Sequence, residues 1–152
     1  MRDFPDSAPE LRARALRLLA RREHSRAELA RKLAGHAESP GALEQLLDAL
    51  AAAKQLCDER YAEERARQLG RKYGAARIRL DLIAKGVAAD TAARLATASA
   101  DADLERARAI LARKYRTPAG SAAERARRAR FLQGRGFGHE IIRRLLSSSE
   151  TE

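Results

Sequence analysis

The side chains with the clearest chemical meaning in this 152-residue chain are basic. Arg113-Lys114-Tyr115-Arg116 and Arg125-Ala126-Arg127-Arg128-Ala129-Arg130 are its densest runs of cations. A guanidinium is a planar fork of donors that grips phosphate and carboxylate alike. The chemistry implied is therefore anion binding, with DNA and an acidic protein surface both open as partners. At helical spacing Arg125 and Arg128 share one face, Arg127 and Arg130 another. The contact candidates are Arg71, Lys72, Arg77, Arg79, Lys85, Arg113, Lys114, Arg127, Arg128, Arg130 and Arg135. Basic residues outnumber acidic ones ten to eight over 1–57, nine to six over 58–100 and twelve to seven over 101–152. The excess therefore grows toward the C-terminus and sums to a net charge of +10.

No constellation points to catalysis, a cofactor or a metal. His24, His36 and His139 stand alone, without a second ligand at a spacing such as His-x-x-x-His. Cys57 has no activating neighbour and reads as a partly buried thiol ahead of a helix. Gly134-Arg135-Gly136-Phe137-Gly138 is glycine-rich but follows no strand, so it reads as a turn between helices rather than a phosphate loop. Most carboxylates have a basic residue at i,i+4, as in Glu63 and Arg67, which suits a solvated charged face better than an acid–base pair. Tyr61, Tyr73, Tyr115, Phe131 and Phe137 fall at core spacing and are expected to be packing residues. With so few aromatic residues, base stacking is not expected as a main mode of binding.

These side chains must be carried by helices. Alanine supplies 34 residues and arginine 26, whereas valine occurs once, isoleucine five times and tryptophan never. That composition favours helix and starves strands, so the expected class is all-α. No apolar run reaches the roughly 18 residues that cross a bilayer, and Met1-Arg2-Asp3-Phe4-Pro5-Asp6 lacks the apolar core of a signal peptide. One cysteine excludes an intramolecular disulfide framework and fits the cytoplasm. No membrane partner is expected.

The helices fall into three blocks, 8–57, 58–100 and 101–148, between flexible tails at 1–7 and 149–152. In the first block a helix runs from Ala8 to about Glu23 with Leu11, Ala15, Leu18 and Leu19 in register. Ser25-Arg26-Ala27-Glu28 is a capping box that opens a second helix. A third carries Leu43, Leu46, Leu47 and Leu50. In the second block Asp58 is the expected N-cap of a helix ending near Tyr73-Gly74. The next helix holds Ile78, Leu82 and Ile83 and stops at Lys85-Gly86-Val87. A short third has Asp90 in its first turn. In the last block Asp101 or Asp103 is the expected cap, Ser121 caps the helix that ends at Arg135-Gly136-Phe137, and Ile141, Ile142, Leu145 and Leu146 share one side of the final helix.

Leu69-Gly70-Arg71-Lys72-Tyr73 parallels Leu111-Ala112-Arg113-Lys114-Tyr115, and Leu82 to Val87 parallels Leu132 to Phe137 with the helix stop included. Leu33, Leu82 and Leu132 lie 49 and 50 residues apart. A period near 50 with three helices per unit implies an elongated array of three tandem three-helix repeats, right- or left-handed. Each unit is expected to be too small to bury its own faces, so that neighbours must stack. A helix-turn-helix reading of 25–50 or 78–95 fares worse. Its recognition helix would begin Ala42-Leu43-Glu44 or Ala88-Ala89-Asp90, which read bases poorly and repel phosphate.

Three ordered stretches resemble the RecX family, regulators of the recombinase RecA. Ala15 to Leu33 resembles the family's N-terminal signature. Asp58-Glu59-Arg60-Tyr61-Ala62, with Tyr73 to Val87, resembles its central stretch, and Arg130 to Phe137 its closing element. The likeness covers roughly residues 8 to 146. It implies three tandem three-helix repeats, which the period also reaches. It further implies a non-enzymatic regulator, a monomer, that binds the RecA–DNA filament along its groove. Such a regulator lowers ATP hydrolysis, coprotease activity and strand exchange in recombination, DNA repair and the SOS response. The alternative is a general basic DNA-binding or architectural protein.

Overall fold

The structure, a computed structural model, describes residues 4–147. These residues form nine α-helices and no strand. The first repeat holds α1 (Ala8–Arg21), α2 (Arg26–Leu33) and α3 (Pro40–Ala52). The second holds α4 (Asp58–Leu69), α5 (Ala75–Ala84) and α6 (Ala89–Ala100), and the third α7 (Asp103–Lys114), α8 (Ala122–Gly134) and α9 (His139–Ser147). Ser7, Ser25, Ser39 and Ser121 each N-cap a helix by accepting a backbone N–H three residues on. Each satisfies one of the donors that a helix start leaves open.

Each repeat closes its own core. Leu11, Leu29, Leu33, Leu47, Leu50 and Leu56 form the first. Tyr61, Ile78, Leu82 and Val87 with small alanines form the second, and Ile110, Leu132, Phe137 and Ile142 the third. Apolar contact between repeats is not the main cement expected from the sequence. The joints are built from helix ends. The C-terminus of α5 abuts the N-terminus of α2, where Ser25 Oγ donates to the Lys85 carbonyl at 2.7 Å. The C-terminus of α8 abuts the N-terminus of α5, where the Gly74 N–H donates to the Arg135 carbonyl at 2.8 Å. Exposed carbonyls of one helix thus meet the positive end of the next, a favourable dipole arrangement. The whole has 9811 Å² of accessible surface, against about 7,600 Å² for a compact monomer of 16.8 kDa, as an elongated array requires.

Two acidic residues expected to cap their own helices reach across the joints instead. Asp58 is the first residue of α4, behind Cys57 as N-cap, and its carboxylate accepts the Arg26 N–H of α2 at 2.7 Å. Asp103 opens α7 behind Ala102, and accepts the Ala75 N–H of α5 at 3.0 Å. Each repeat therefore caps the middle helix of the one before it. The tail expected at 1–7 is also shorter. Asp6 is buried and ion-paired to Arg14 at 2.8 Å, and Ser7 caps α1. Met1 to Asp3 and the expected tail at 149–152 lie outside the described residues.

Gly86 and Gly136 end the middle helices with φ of 91° and 92°. In both, the N–H after the glycine returns to the carbonyl five residues back, Val87 to Leu82 and Phe137 to Leu132, the Schellman arrangement. A Cβ on Gly86 would overlap Ala27, and one on Gly136 would overlap Arg77 across the joint. Gly136→Ala is therefore expected to cost about 2 kcal/mol. Gly134→Ala, in open space at the end of α8, should add about 0.5–1 kcal/mol. Urea denaturation of the two variants side by side checks the contrast.

Candidate functional site: a basic groove between the second and third repeats

The turn after α4, the end of α7 and the end of α8 enclose a groove of ≈ 420 Å³. Arg71, Lys72 and Tyr73 form one wall, Ile110, Arg113 and Lys114 the other, with Phe131 and Arg135 between. Five of the eleven sequence candidates meet here, and no carboxylate lines the groove. None of the five is ion-paired to a described carboxylate.

Aromatic rings hold several of the cations in place. Arg135 Cζ lies 5.5 Å from the Tyr73 ring centre and 5.2 Å from that of Phe131. Its Nη1 donates to the Lys72 carbonyl at 3.3 Å. Lys114 Nζ sits 4.1 Å from the Phe131 ring, which meets Tyr115 edge to face. Arg77 Cζ lies 4.7 Å from Tyr73, while its Nη1 donates to the Gly134 carbonyl at 3.1 Å. Cations and rings thus alternate across the joint, each contact favourable by about 0.5–1 kcal/mol where it is exposed. Stacking also pre-orients the cations, which lowers the entropy lost when an anion arrives.

The other candidates lie elsewhere. Arg128 is buried, its Cζ 4.4 Å from the Tyr115 ring, so it packs the third repeat and offers no contact surface. Arg79, Arg127 and Arg130 are exposed but do not line the groove. Lys85 borders the other joint. Tyr73, Tyr115 and Phe131, expected to be plain core residues, are half-buried and face cations. The signal for them was the repeated Lys-Tyr pair at 72–73 and 114–115.

The joint between the first and second repeats forms a groove of ≈ 230 Å³ with a different electrostatic character. Arg22, Arg65 and Lys85 are matched by Glu23, Glu28 and Glu64. Arg22 grips Glu28 with two bonds of 2.8 and 3.0 Å. The Arg22 hydrogen bond holds the Glu28 carboxyl below its usual range. Arg60 pairs with Glu23 at 2.8 Å, and Arg65 with Asp81 at 2.9 Å. Among the described residues no group of three His, Cys, Asp or Glu could hold a metal ion, and no helix is long and apolar enough to cross a membrane.

His24 lies buried at this joint. A carbonyl only accepts and an ammonium only donates, so its neighbours fix the tautomer. Nδ1–H donates to the Arg22 carbonyl and Nε2 accepts from Lys32 Nζ, both at 3.0 Å. Burial, with the charges of Arg22 and Lys32, pushes the His24 pKa down. The unfolded chain therefore takes up the proton first. The neutral ring's contribution is complete above about pH 6.5 and is lost as pH falls below it toward the depressed folded value. Urea midpoints from pH 7.5 to 5 are expected to fall more for the wild type than for His24→Leu.

The chain's matches to known proteins follow its three repeats. Residues 12–50, 58–94 and 101–146 match the family models for the first, second and third three-helix domains of RecX. The chain belongs to the RecX family. "Regulatory protein RecX" of Leptothrix cholodnii is 43% identical over 142 residues, 93% of this chain and 90% of that one. Its namesake in Ralstonia nicotianae is 37% identical over 147 residues, 97% and 92% of the two chains. The crystal structure of RecX from Lactobacillus salivarius superposes with a TM-score of 0.83 at 20% identity, covering 95% of this chain and 97% of that one. At that identity the likeness speaks for the RecX fold, and the same all-α architecture of three-helix repeats is found here.

Proposed function

We propose that this chain is a non-enzymatic, cytoplasmic regulator that binds the RecA–DNA filament as a monomer. Bound there, it lowers RecA's ATP hydrolysis, coprotease activity and strand exchange. Membership of a family of regulatory proteins supports the reading. The single structural observation that carries it is the five-cation groove, without a lining carboxylate, set in an elongated array. An array of interlocked repeats can touch more than one filament protomer at once. Bridging of that kind favours one filament geometry and resists the rearrangements that ATP turnover requires. Occupying the filament groove would also exclude a DNA duplex or a protein substrate.

RecA ATPase on single-stranded DNA, measured with increasing amounts of the chain, tests this. Inhibition is expected below one molecule per RecA protomer and should persist when DNA is in excess over RecA. No inhibition up to one per protomer would overturn the proposal. Inhibition that vanishes with excess DNA would replace it with simple competition for DNA.

A further inference from the structure

The two joints share a backbone plan but not a charge plan. Ser25 and Gly74 occupy the same N-cap position of α2 and α5. Counted from those caps, Arg22 corresponds to Arg71, Glu23 to Lys72 and Glu28 to Arg77. Counted from Asp58 and Asp103, Arg65 corresponds to Ile110 and Gln68 to Arg113. Counted from the C-caps Lys85 and Arg135, Asp81 corresponds to Phe131. Ion pairs line the first joint: Arg60–Glu23 crosses it, while Arg22–Glu28 lies on the first repeat's side and Arg65–Asp81 on the second's. At the second joint both glutamates have become cations, and the third pair has become Ile110 and Phe131. The capping carboxylate and the carbonyl contact are kept, through Asp103 to Ala75 and Gly74 to Arg135. Counted from Asp58 and Asp103, Arg60 corresponds to Glu105, which pairs with Arg108. The second joint is thus built like the first but without counterparts of the carboxylates Glu23, Glu28 and Asp81, and no carboxylate lines its groove.

The geometry points to an anion from outside taking their place: phosphate groups bound in the second groove, tying Arg71 and Lys72 of the second repeat to Arg113, Lys114 and Arg135 of the third. The groove is open and ≈ 420 Å³ in volume, large enough for more than one phosphate. Its cations are arginine forks and stacked lysine, the groups that bind phosphate oxygens at close range. The phosphates come from a nucleic-acid strand or from a free polyphosphate. Binding stiffens the joint, because one anion holds side chains of both repeats. This deepens the proposed function and rests on it only for where the protein works. The site is tested with the full chain and no RecA, so its failure is separate from failure of RecA inhibition.

Two probes are used, a labelled dT20 oligonucleotide and inorganic pyrophosphate, with amide hydrogen exchange and anisotropy as readouts. Exchange at Gly74 and Gly136 is expected to slow on binding while exchange at Arg26, in the first joint, stays unchanged. Slowing by both probes assigns the site to phosphate alone, and slowing by dT20 only assigns it to a strand. The triple variant Arg71→Glu, Lys72→Glu, Arg113→Glu should weaken dT20 binding by about tenfold or more and flatten the log–log salt slope by about 2. The glutamine version of the same triple, which brings in no negative charge, should lose a smaller part of both. Arg17→Glu, Arg21→Glu, Arg31→Glu, with the same change in net charge on the first repeat, should keep near wild-type affinity and slope. Equal losses in the two glutamate triples, or no slowing at Gly74 with either probe, would overturn the inference.

Discussion

Asp103→Ala is expected to lower the stability of the chain by about 3–5 kcal/mol, the cost of breaking a buried ion pair by removing one partner. The carboxylate is buried. One of its oxygens accepts from Arg106 Nη2 at 2.5 Å and the other from the Ala75 N–H at 3.0 Å. Without it the Arg106 guanidinium, whose side chain is 21% exposed, stays at the joint without its carboxylate, and the first turn of α5 loses a cap. Asp58→Ala removes the equivalent cap on α2, but that carboxylate is half-buried and accepts from a backbone amide, that of Arg26. Its cost should be near 1 kcal/mol, that of an ordinary N-cap. Urea midpoints of the two variants check the difference, and a loss below about 1 kcal/mol for Asp103→Ala would show that the joint does not depend on this carboxylate.

The second large effect concerns the filament. With Arg71, Lys72 and Arg113 reversed to glutamate, the concentration of chain needed for half-inhibition of RecA ATPase should rise by about 100-fold. Each reversal removes an attraction and adds a repulsion at an anionic surface. None of the three side chains hydrogen-bonds or ion-pairs with another described residue, so the fold should survive, as a thermal melt can verify. Reversing Arg17, Arg21 and Arg31 should change the half-inhibition point by less than about threefold, because their shared effect is only through net charge, which salt screens beyond about 10 Å. If both triples weaken inhibition equally, long-range attraction and not the groove carries the binding.

What was legible in the sequence follows the reach of each signal. Serine caps and the Gly86 and Gly136 stops depend on neighbours within five residues, and the structure keeps them. The repeat was visible because the same stop recurs 50 residues on. Asp58 and Asp103 were misread for an opposite reason. An acidic residue at a helix start looks like that helix's cap, and nothing local says that its acceptor faces a helix more than 25 residues away. Arg128 looked like surface because arginine ordinarily is. Only the placement of Tyr115 over α8 shows it stacked and buried. The groove brings together 71–73, 110–114 and 131–135, and its lack of carboxylates is a property of three distant segments at once. Separate cores were not foreseen because the many alanines suggested units too thin to close. The leucines of α1, α2 and α3 and the tight alanine packing of α5 against α6 close them instead.

Helical reconstruction of a RecA filament on single-stranded DNA, saturated with this chain, tests the central claim most directly. The account predicts that the array runs along the filament groove, that each molecule touches at least two RecA protomers, and that Arg71, Lys72, Arg113, Lys114 and Arg135 face the filament. Molecules found only at filament ends, or an array whose basic groove faces solvent, would contradict it.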